Sequence, residues 1–598
     1  MLLGKSLKKY YKHYIVLIII GILSLIAVDW VQLYIPELLG KIVDLFETSY
    51  NPSDILEEVK SISLSVVFIA LSMFIGRILF RVTLFRVSTG VAFGLRQEMF
   101  EKAERLDVEY YHNVKTGTLM SWVTQDTDEI QEFFGWGTVM LIDGVFLTIL
   151  CIIKMLLLDW VMSLLIFIPV ILIVIWGLIV EKYMSMKYLD RQKALDKMYD
   201  FTDENFSGIR VIKAFVKETQ QLLRFSRIAR KNEKADITLG MYNVGFDICI
   251  EIIIASVMAL IIGFGGYFVY ASVTTNGFTI FNHTVKLSAS TLVVFLSYFM
   301  NLIWPLIALG QVITMHSRAK TSLTRVENFL DTPEVIIDSK NAKELKDVKG
   351  NIEFKHLYFT YPGKTKNYLQ DLSFKINAGE TIGIVGRIGS GKTTILNLLS
   401  RLYNVEKDTL FIDGQDVMKC TVKSVREAIA VVPQENFLFS DTIENNIKFG
   451  NKDAEFPLIE AAAEFSEIKK DIDGFEKKFD TFTGERGVSL SGGQKQRIAI
   501  SRAFVKRAPI MILDDSVSAV DIKTEEEILE NISYLRKGKT TIVIASRIST
   551  VNKMDKILVL NEGKVEAFDT PSNLLKISPT YKKMVYLQKL EDELKEGK

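Results

Sequence analysis

The residues best suited to chemistry lie in one short stretch, Gly386 to Thr393, which reads Gly-Arg-Ile-Gly-Ser-Gly-Lys-Thr. It fits the phosphate-loop pattern G-x-x-x-x-G-K-[ST]. Glycines let successive backbone N–H groups turn toward a phosphate, and the following helix adds its positive end. Lys392 would contact the outer phosphates, and the Thr393 hydroxyl would hold a magnesium ion. The predicted nucleotide contacts in this stretch are Gly386, Arg387, Ile388, Gly389, Ser390, Gly391, Lys392, Thr393 and Thr394.

The residues on either side of this stretch give it the context that a phosphate loop needs. Thr381-Ile382-Gly383-Ile384-Val385 predicts a strand before it, and the apolar-periodic run from Thr394 to Leu399 predicts a helix after it. A glycine-rich turn with a chance lysine is the competing interpretation. The strand-to-helix setting makes that interpretation a poor one.

A second group of candidate residues is a pair of carboxylates at the end of another apolar run. Pro509-Ile510-Met511-Ile512-Leu513 predicts a strand, and Asp514 and Asp515 follow it directly. A carboxylate beside a phosphate loop can hold magnesium through water, which is the role predicted for Asp514. Asp515 is placed to polarise an attacking water.

Two further motifs point to a nucleotide. Leu490, Ser491, Gly492, Gly493 and Gln494 precede a predicted helix, so they form a second phosphate-binding device, although alone they would be an ordinary helix cap. Tyr361, about 25 residues before the phosphate loop, is an aromatic residue suited to stacking on adenine. A core tyrosine is the alternative at that position.

The length and composition of the chain indicate which kinds of domain carry these residues. A chain of 598 residues is too long for one compact core, and its net charge of +1 argues against a nucleic-acid partner. Cys151, Cys249 and Cys420 lie far apart without metal-ligand spacing, which favours small buried hydrophobes. Apolar residues concentrate in the first half, whereas the second half has the pattern of a soluble α/β domain.

Six apolar segments precede residue 330, and each is long enough to cross a bilayer. They lie near residues 14–35, 61–82, 135–158, 160–181, 245–270 and 289–312. Buried soluble helices are the less favoured interpretation of so many runs. The connections 83–134 and 182–244 are basic, whereas the connection 37–60 is acidic, so both termini are predicted to be cytoplasmic in a cell-membrane protein.

The two basic connections contain few Pro or Gly residues and keep a helical period, with breaks near Tyr110 to Gly117 and near Asn205 to Gly208. Short helices at these breaks are suited to docking on a soluble domain, and solvated hairpins are the alternative. The predicted fold is an α-helical six-span transmembrane domain with long cytoplasmic helical extensions, followed by an α/β P-loop nucleotide-binding domain. The predicted boundaries are 1–330 for the membrane domain, 331–347 for a linker, 348–585 for the nucleotide-binding domain and 586–598 for a charged tail.

Several ionisable residues lie in or beside the predicted spans, where charges are costly and usually face a partner or a cavity. Asp143, Asp247 and Glu251 are the candidate substrate-cavity residues, and the last two share a helix face. Two interpretations are equally favoured. The residues form an acidic cavity for cationic amphiphiles, or they pair between helices with a base such as Arg77 or Lys154.

Taken together, these motifs resemble those of an ATP-binding-cassette exporter half-transporter, over nearly the whole chain to about residue 585. The resemblance implies that Tyr361 stacks on adenine and that Gln434, in Val432-Pro433-Gln434-Glu435, senses magnesium and the membrane domain. It makes Leu490 to Gln494 the signature and Ser518-Ala519-Val520-Asp521 the D-loop. Two cassettes of this family pair head to tail, so the signature and Asp521 serve the ATP of the other subunit. Magnesium would be held by Thr393, Gln434 and Asp514.

Two positions depart from the family pattern. Asp515 replaces the catalytic glutamate, and Ser546 replaces the switch histidine. The shorter carboxylate would sit about one C–C bond too far from the water, and ångström-scale misplacement can cost roughly 10²-fold in rate. Serine lacks the reach of imidazole, and losing such a stabiliser typically costs ~10²–10³-fold. ATP binding should suffer far less.

The intact signature and the altered catalytic positions together predict an asymmetric pair, similar to one member of the bacterial heterodimeric multidrug exporters. The partners implied are a second half-transporter, the lipid bilayer and an amphipathic small-molecule substrate. A homodimer that exports lipid or peptide, an ATP-gated channel or regulatory protein, and a tethered ATPase are the alternatives. The helical extensions argue against the last.

Overall fold

The computed structural model describes residues 4–48, 52–274, 278–280, 283–516 and 520–595. The chain divides into two compact units, each of which has its own core. The first comprises Met1–Glu104 and Thr116–Thr332, and the second comprises Arg105–Lys115 and Pro333–Lys598.

The first unit is built almost entirely of helices, many of them far longer than the average helix of a globular protein. The helices from the N-terminus to residue 330 are α1 (Lys8–Gln32), α2 (Tyr34–Thr48), α3 (Pro52–Arg105), α4 (Val108–Asn113), α5 (Thr116–Ser121), α6 (Thr127–Glu132), α7 (Thr138–Ile142), α8 (Thr148–Leu158), α9 (Trp160–Ser207), α10 (Ile209–Ala214), α11 (Glu218–Thr274) and α12 (Ala289–Leu330). A short antiparallel hairpin, β1 (Phe278–Ile280) and β2 (His283–Val285), separates α11 from α12.

The apolar runs of the sequence fall inside these long helices. Among the residues that the structure describes, five stretches are long and apolar enough to cross a membrane: Lys8–Phe46, Ile55–Arg105, Thr116–Leu158, Glu218–Thr274 and Ala289–Leu330. The predicted fourth span, 160–181, lies within the continuous helix α9, which is not among the five. A helical transmembrane domain is therefore confirmed, whereas the count of six spans is not.

The third membrane stretch is interrupted by three π-helical segments, Trp122–Asp126, Phe133–Gly137 and Asp143–Leu147. Each π-turn inserts a residue into the helical ladder, and such segments occur frequently at functional sites. Because Asp143 begins the third of them, its position on the helix face differs from that of a regular α-helix.

The long helices are interrupted at both places where the sequence predicted a break. After α3 ends at Arg105, Asp107 caps the short helix α4 by accepting a hydrogen bond from the Tyr110 N–H at 2.9 Å. Helix α4 belongs to the second unit, where the Tyr403 hydroxyl donates to Glu109 Oε2 at 3.3 Å. After α9 ends at Ser207, the short helix α10 precedes α11.

The second unit is an α/β domain with two sheets. Its strands are β3 (Ile352–Phe359), β4 (Leu369–Ile376), β5 (Thr381–Gly386), β6 (Leu410–Ile412), β7 (Gln415–Asp416), β8 (Ile429–Val432), β9 (Ile510–Asp514), β10 (Thr540–Ile544), β11 (Lys556–Asn561) and β12 (Lys564–Asp569). One sheet has the order β12-β11-β5-β10-β9-β8, parallel except for β12, and the other has the antiparallel order β4-β3-β6-β7.

Helices surround these sheets and complete the second unit. They are α13 (Lys392–Leu399), α14 (Val422–Glu427), α15 (Ile443–Lys448), α16 (Phe456–Phe465), α17 (Lys469–Asp473), α18 (Gly492–Val505), α19 (Ile522–Leu535), α20 (Ile548–Val551), α21 (Pro571–Ile577) and α22 (Pro579–Lys595). Strands β5, β9 and β10 are neighbours in the parallel sheet, so their carboxyl ends meet at one edge. Ligands of open α/β sheets bind at such an edge.

Candidate nucleotide-binding site

The phosphate loop connects β5 to α13, as the sequence predicted. Gly389 and Gly391 have φ angles of +81° and +101°, a region that side-chain-bearing residues rarely adopt. A Cβ on Gly389 would meet open space, whereas one on Gly391 would lie 2.7 Å from Leu369 Cδ2. The backbone of this loop is therefore accessible at Gly389, where a phosphate oxygen can approach it closely.

The side chains of the loop fit a polyphosphate. The Lys392 ammonium donates to the carbonyls of Gly386 at 2.8 Å and Arg387 at 3.2 Å. Burial lowers the pKa of Lys392, and the nearby carboxylates act in the opposite direction. The Ser390 hydroxyl is buried and has no hydrogen-bond partner in the described part of the chain. A mobile ammonium and an unpaired hydroxyl beside exposed backbone are what an anionic ligand requires.

The Asp514 carboxylate lies beside the phosphate loop and accepts a hydrogen bond from Thr393. It ends the fully buried strand β9 and is itself buried. Its pKa is raised mainly by burial, while a hydrogen bond from Thr393 acts in the opposite direction; the neighbouring Asp515 raises it further. A hydroxyl and a carboxylate in contact supply the hard oxygen ligands that Mg²⁺ prefers. The residues thus fit the ion.

The two positions that depart from the family pattern contact each other. The Ser546 hydroxyl donates to Asp515 Oδ1 at 3.2 Å, and the Asp515 N–H donates to the Ile544 carbonyl at 2.8 Å. Asp515 has a φ of +46°, in the left-handed region that aspartate tolerates better than most residues. The Gln496 side chain donates to the Asp515 carbonyl at 3.3 Å, which ties α18 to this position.

Tyr361 lies beside the phosphate-loop helix. Its hydroxyl is 3.0 Å from the Thr394 hydroxyl. Its ring packs edge-to-face with Phe359, Tyr368 and Tyr403, with centroid distances of 4.9, 4.9 and 5.0 Å. The half-buried ring therefore belongs to an aromatic cluster as well as to the site, and stacking on adenine stays a prediction.

The signature begins α18 with a complete capping box. Ser491 Oγ accepts from the Gln494 N–H at 3.3 Å, and Gln494 Oε1 accepts from the Ser491 N–H at 3.0 Å. Leu490 is buried in the core of the surrounding helices, and a Cβ on Gly492 would meet open space. The N-terminal turn of α18 is thus exposed and ordered by its own side chains.

Asp471 is a site residue that no sequence pattern identified. It accepts from the Gln494 amide at 2.9 Å and from the Arg497 guanidinium at 2.7 Å, so it holds the first turn of α18 in place. It lies in the polar stretch Lys469–Asp473, which matches no motif. Its role depends on a tertiary contact, so no local pattern could have identified it.

The remaining predicted residues occupy different parts of the second unit. Gln434 is exposed just after β8. Asp521 caps α19, where hydrogen bonds from Thr524 lower its pKa. Ser518 and Ala519 of the predicted D-loop lie outside the described residues.

The three candidate substrate-cavity residues are not brought together. Asp143 lines a cavity in the first unit with Asp29, which is not one of the three candidates, and with Arg77, one of the two bases named as a possible partner. Asp247 and Glu251 are exposed on α11 and do not line that cavity. Lys154, one of the bases considered as an interhelical partner, pairs instead with Glu37 at 2.5 Å.

Comparison with known proteins gives the family. The family model "ABC transporter transmembrane region" matches residues 18–306, and the family model "ABC transporter" matches residues 369–518. The chain is 31% identical to the "Probable multidrug resistance ABC transporter ATP-binding/permease protein YheI" of Bacillus subtilis (strain 168), over 98% of this chain and 97% of that protein. The chain belongs to the ABC transporter family. It has the two domains of an ABC exporter, embedded in a membrane and carrying an ATP-binding cassette.

Other similar proteins agree on this class. The "Multidrug resistance-like ATP-binding protein MdlA" of Escherichia coli (strain K12) is 31% identical over 95% of this ABC exporter and 94% of its own length. The "ATP-dependent lipid A-core flippase" of Legionella pneumophila (strain Paris) is 30% identical over 84% of this chain and 83% of its own. A solved structure of a bacterial Atm1-family ABC exporter with ATP bound has a TM-score of 0.78 at 26% identity, covering 97% of this chain and 99% of that one.

Proposed function

We propose that this ABC exporter chain is one half of an ATP-driven exporter of amphipathic compounds and that it works with a different half-transporter. Its own ATP site would bind nucleotide and hydrolyse it slowly, while its signature would complete a competent site on the partner. The observation that carries the proposal is the 3.2 Å contact between Ser546 Oγ and Asp515 Oδ1. The serine engages the carboxylate that would otherwise be oriented toward water.

In the proposed site, the residues that bind ATP differ from those that would hydrolyse it. Lys392 and the backbone of the phosphate loop bind the phosphates, and Tyr361 stacks on the adenine. Thr393, Asp514 and Gln434 hold Mg²⁺, which neutralises charge on the phosphates when it is bound. Asp515 is one methylene shorter than glutamate, so it orients the attacking water poorly. Ser546 cannot extend a positive edge toward the γ-phosphate as histidine does.

The trans site is the complementary half of the proposal. Ser491, Gly492, Gly493 and Gln494 form the exposed N-terminal turn of α18, with Leu490 anchoring them in the core below. N–H groups at the start of a helix stabilise negative charge. These residues and Asp521 would contact the γ-phosphate of ATP held by the partner subunit.

Coupling to the membrane would run through the breaks in the helices. Glu109 of α4 and Tyr403 form a hydrogen bond within the second unit. Helix α4 directly follows the end of α3, most of which belongs to the first unit. ATP binding that moves the cassettes together would therefore move the end of α3. The basic connections face the cytoplasm in this proposal, so both termini and the cassette are cytoplasmic.

The test uses two substitutions in the full chain, reconstituted with a candidate partner half-transporter. Asp515→Asn should lower ATPase and dye efflux only modestly, because that site contributes little turnover. Ser491→Arg should remove most of both activities, because it places a bulky cation where the partner's γ-phosphate lies. Equal and nearly complete losses from the two variants would refute the asymmetry.

The chain alone supplies the second arm of the experiment. High ATPase and efflux from this chain without a partner would favour a homodimeric exporter. ATP-dependent ion current without vectorial efflux would favour a channel. Low activity alone that is restored by the partner is the result that the proposal expects.

A further inference from the structure

The first unit contains a cavity of about 340 Å³ between α1, α3, α12 and the interrupted helix of the third membrane stretch. Four charged side chains line it: Asp29, Arg77, Arg81 and Asp143. The rings of Trp136 and Trp304 line it as well. All of these residues belong to predicted spans or their immediate continuation, where each charge needs a partner.

The charges of this cavity are arranged by depth. Asp29 is 4% exposed, whereas Arg77 and Arg81 are exposed in the single chain. One carboxylate oxygen of Asp29 and one of Asp143 are buried without a hydrogen-bond partner among the residues that the structure describes. The carboxylates therefore form the inner end of the cavity, and the guanidiniums form its mouth.

The opposite charges interact without direct contact, since Arg77 acts electrostatically on both Asp29 and Asp143. Neither Arg77 nor Arg81 lies within 4.0 Å of a carboxylate oxygen of any residue that the structure describes. A buried carboxylate oxygen without a donor loses the free energy of its hydration. A guanidinium in an apolar span is costly until an anion pairs with it. A ligand that brings a donor to the inner end and an anion to the mouth would remove both deficits.

We propose that this cavity binds the head of a zwitterionic amphiphile whose terminal group is an ammonium and whose inner group is a phosphate. The ammonium would contact Asp29 and Asp143, and the phosphate would contact Arg77 and Arg81. Arginine binds phosphate through two parallel N–H donors, which suits the mouth of the cavity. The tail would leave along Trp136 and Trp304, whose rings combine an apolar body with a polar edge.

The order of the charges separates this ligand from a simple organic cation. A cation would gain from the carboxylates but would be repelled by two guanidiniums at the mouth. A phosphoethanolamine head carries its charges in the same order as the cavity, with the ammonium farthest from the tail. The inference rests on the proposed exporter function, because it names the class of amphiphile that the membrane domain would carry.

The experiment measures equilibrium binding to the full chain in a nonionic maltoside micelle, without ATP and without a partner. The probes are an acyl-chain-labelled phosphatidylethanolamine, the matching phosphatidylglycerol and tetraphenylphosphonium. Phosphatidylethanolamine should bind most tightly. Asp29→Asn should weaken its binding about tenfold or more, because a charged hydrogen bond is lost, and should leave phosphatidylglycerol unchanged. Arg77→Gln should weaken both lipids.

Controls keep the result interpretable. Glu58→Gln removes an exposed carboxylate elsewhere on α3 and should change no affinity more than about twofold. Asp29→Glu keeps the charge and should retain most of the affinity, which separates a charge effect from misfolding. Nucleotide binding by each variant confirms that the cassette is intact.

Four outcomes would overturn the inference. Tightest binding of tetraphenylphosphonium, strengthened by Arg77→Gln, would make this a cation site. Equal binding of the two lipids, insensitive to Asp29→Asn, would make it a phosphate site only. Competition by free phosphoethanolamine as effective as that by the lipid would exclude an amphiphile. Sensitivity to Asp247→Asn with none to Asp29→Asn would place the site on α11. Binding as expected but without efflux would instead contradict the proposed exporter function.

Discussion

Replacing Asp515 by glutamate and Ser546 by histidine should convert the slow ATP site of this chain into a fast one. The Asp515 carboxylate ends one C–C bond, about 1.5 Å, short of where a glutamate carboxylate would end. A displacement of that size corresponds to roughly 10²-fold in rate. The histidine would add a stabiliser typically worth ~10²–10³-fold. Because the two groups act on one transition state, their effects should not simply multiply, and about 10³-fold in total is expected.

The backbone conformation at residue 515 makes a glutamate there less stable than the aspartate. Residue 515 has a φ of +46°, and a side chain less tolerant of this region than aspartate loses roughly 1–2 kcal/mol there. Asp515→Glu alone should therefore lower the thermal stability of the cassette while raising its turnover. Ser546→His should also remove the 3.2 Å hydrogen bond that the serine donates to residue 515.

The assay is steady-state ATPase of the full chain alone, at protein concentrations where two copies associate, so that the phosphate loop of one copy would meet the signature of the other. The double variant should exceed the wild type by at least 10²-fold, within the range of a single restored group. Adding Lys392→Ala should abolish the gained activity, because the phosphates then lose their ammonium. Two results would refute the reasoning. One is a high ATPase rate of the wild-type chain, and the other is a double variant that binds ATP normally but hydrolyses it no faster than the wild type.

The remaining predictions concern the buried carboxylate and the short helix α4. Burial raises the pKa of Asp514 above 3.8, so this carboxylate binds a proton more readily in the folded chain than in the unfolded chain. The stability that it contributes is therefore present at low pH and is lost as pH rises from about 4 through the raised pKa. Asp514→Asn should thus stabilise the nucleotide-free chain at neutral pH by about 2 °C in Tm while weakening Mg-ATP binding; a lower Tm in calorimetry would contradict this. Tyr403→Phe removes the hydrogen bond to Glu109, worth about 1 kcal/mol, and should lower efflux more than ATPase. Equal losses of efflux and ATPase from Tyr403→Phe would argue against a coupling role.

Local sequence patterns predicted the parts of this ABC exporter whose chemistry is contiguous. The strand, turn and helix around Gly389 and Lys392 follow from the glycine spacing and the apolar periods on either side. The helix breaks predicted near residues 110–117 and 205–208 follow from interruptions of a helical period. The capping box at Ser491 is likewise local, because Ser491 and Gln494 are three residues apart.

Sequence periodicity failed where a side chain's environment is set by distant segments. The helical pattern of Asp247 and Glu251 predicts a shared face, but it does not say what that face meets, and the structure leaves both exposed. The acidic residue that joins Asp143 in the cavity is Asp29, 114 positions earlier in the chain. The three π-helical segments that rotate the helix around Asp143 leave no clear signal in the apolar pattern.

What the sequence determined by itself is the chemistry available to this chain: a phosphate loop, a carboxylate pair, a signature and long apolar runs. The tertiary structure alone decided which of these groups meet. Neighbouring parallel strands bring Gly386, Asp514 and Ser546 to one sheet edge, although up to 160 residues separate them along the chain. Packing of four helices puts two carboxylates and two guanidiniums around one cavity. The physical reason is that residue type fixes what a side chain can donate or accept, whereas its partner depends on chain segments that no local pattern connects.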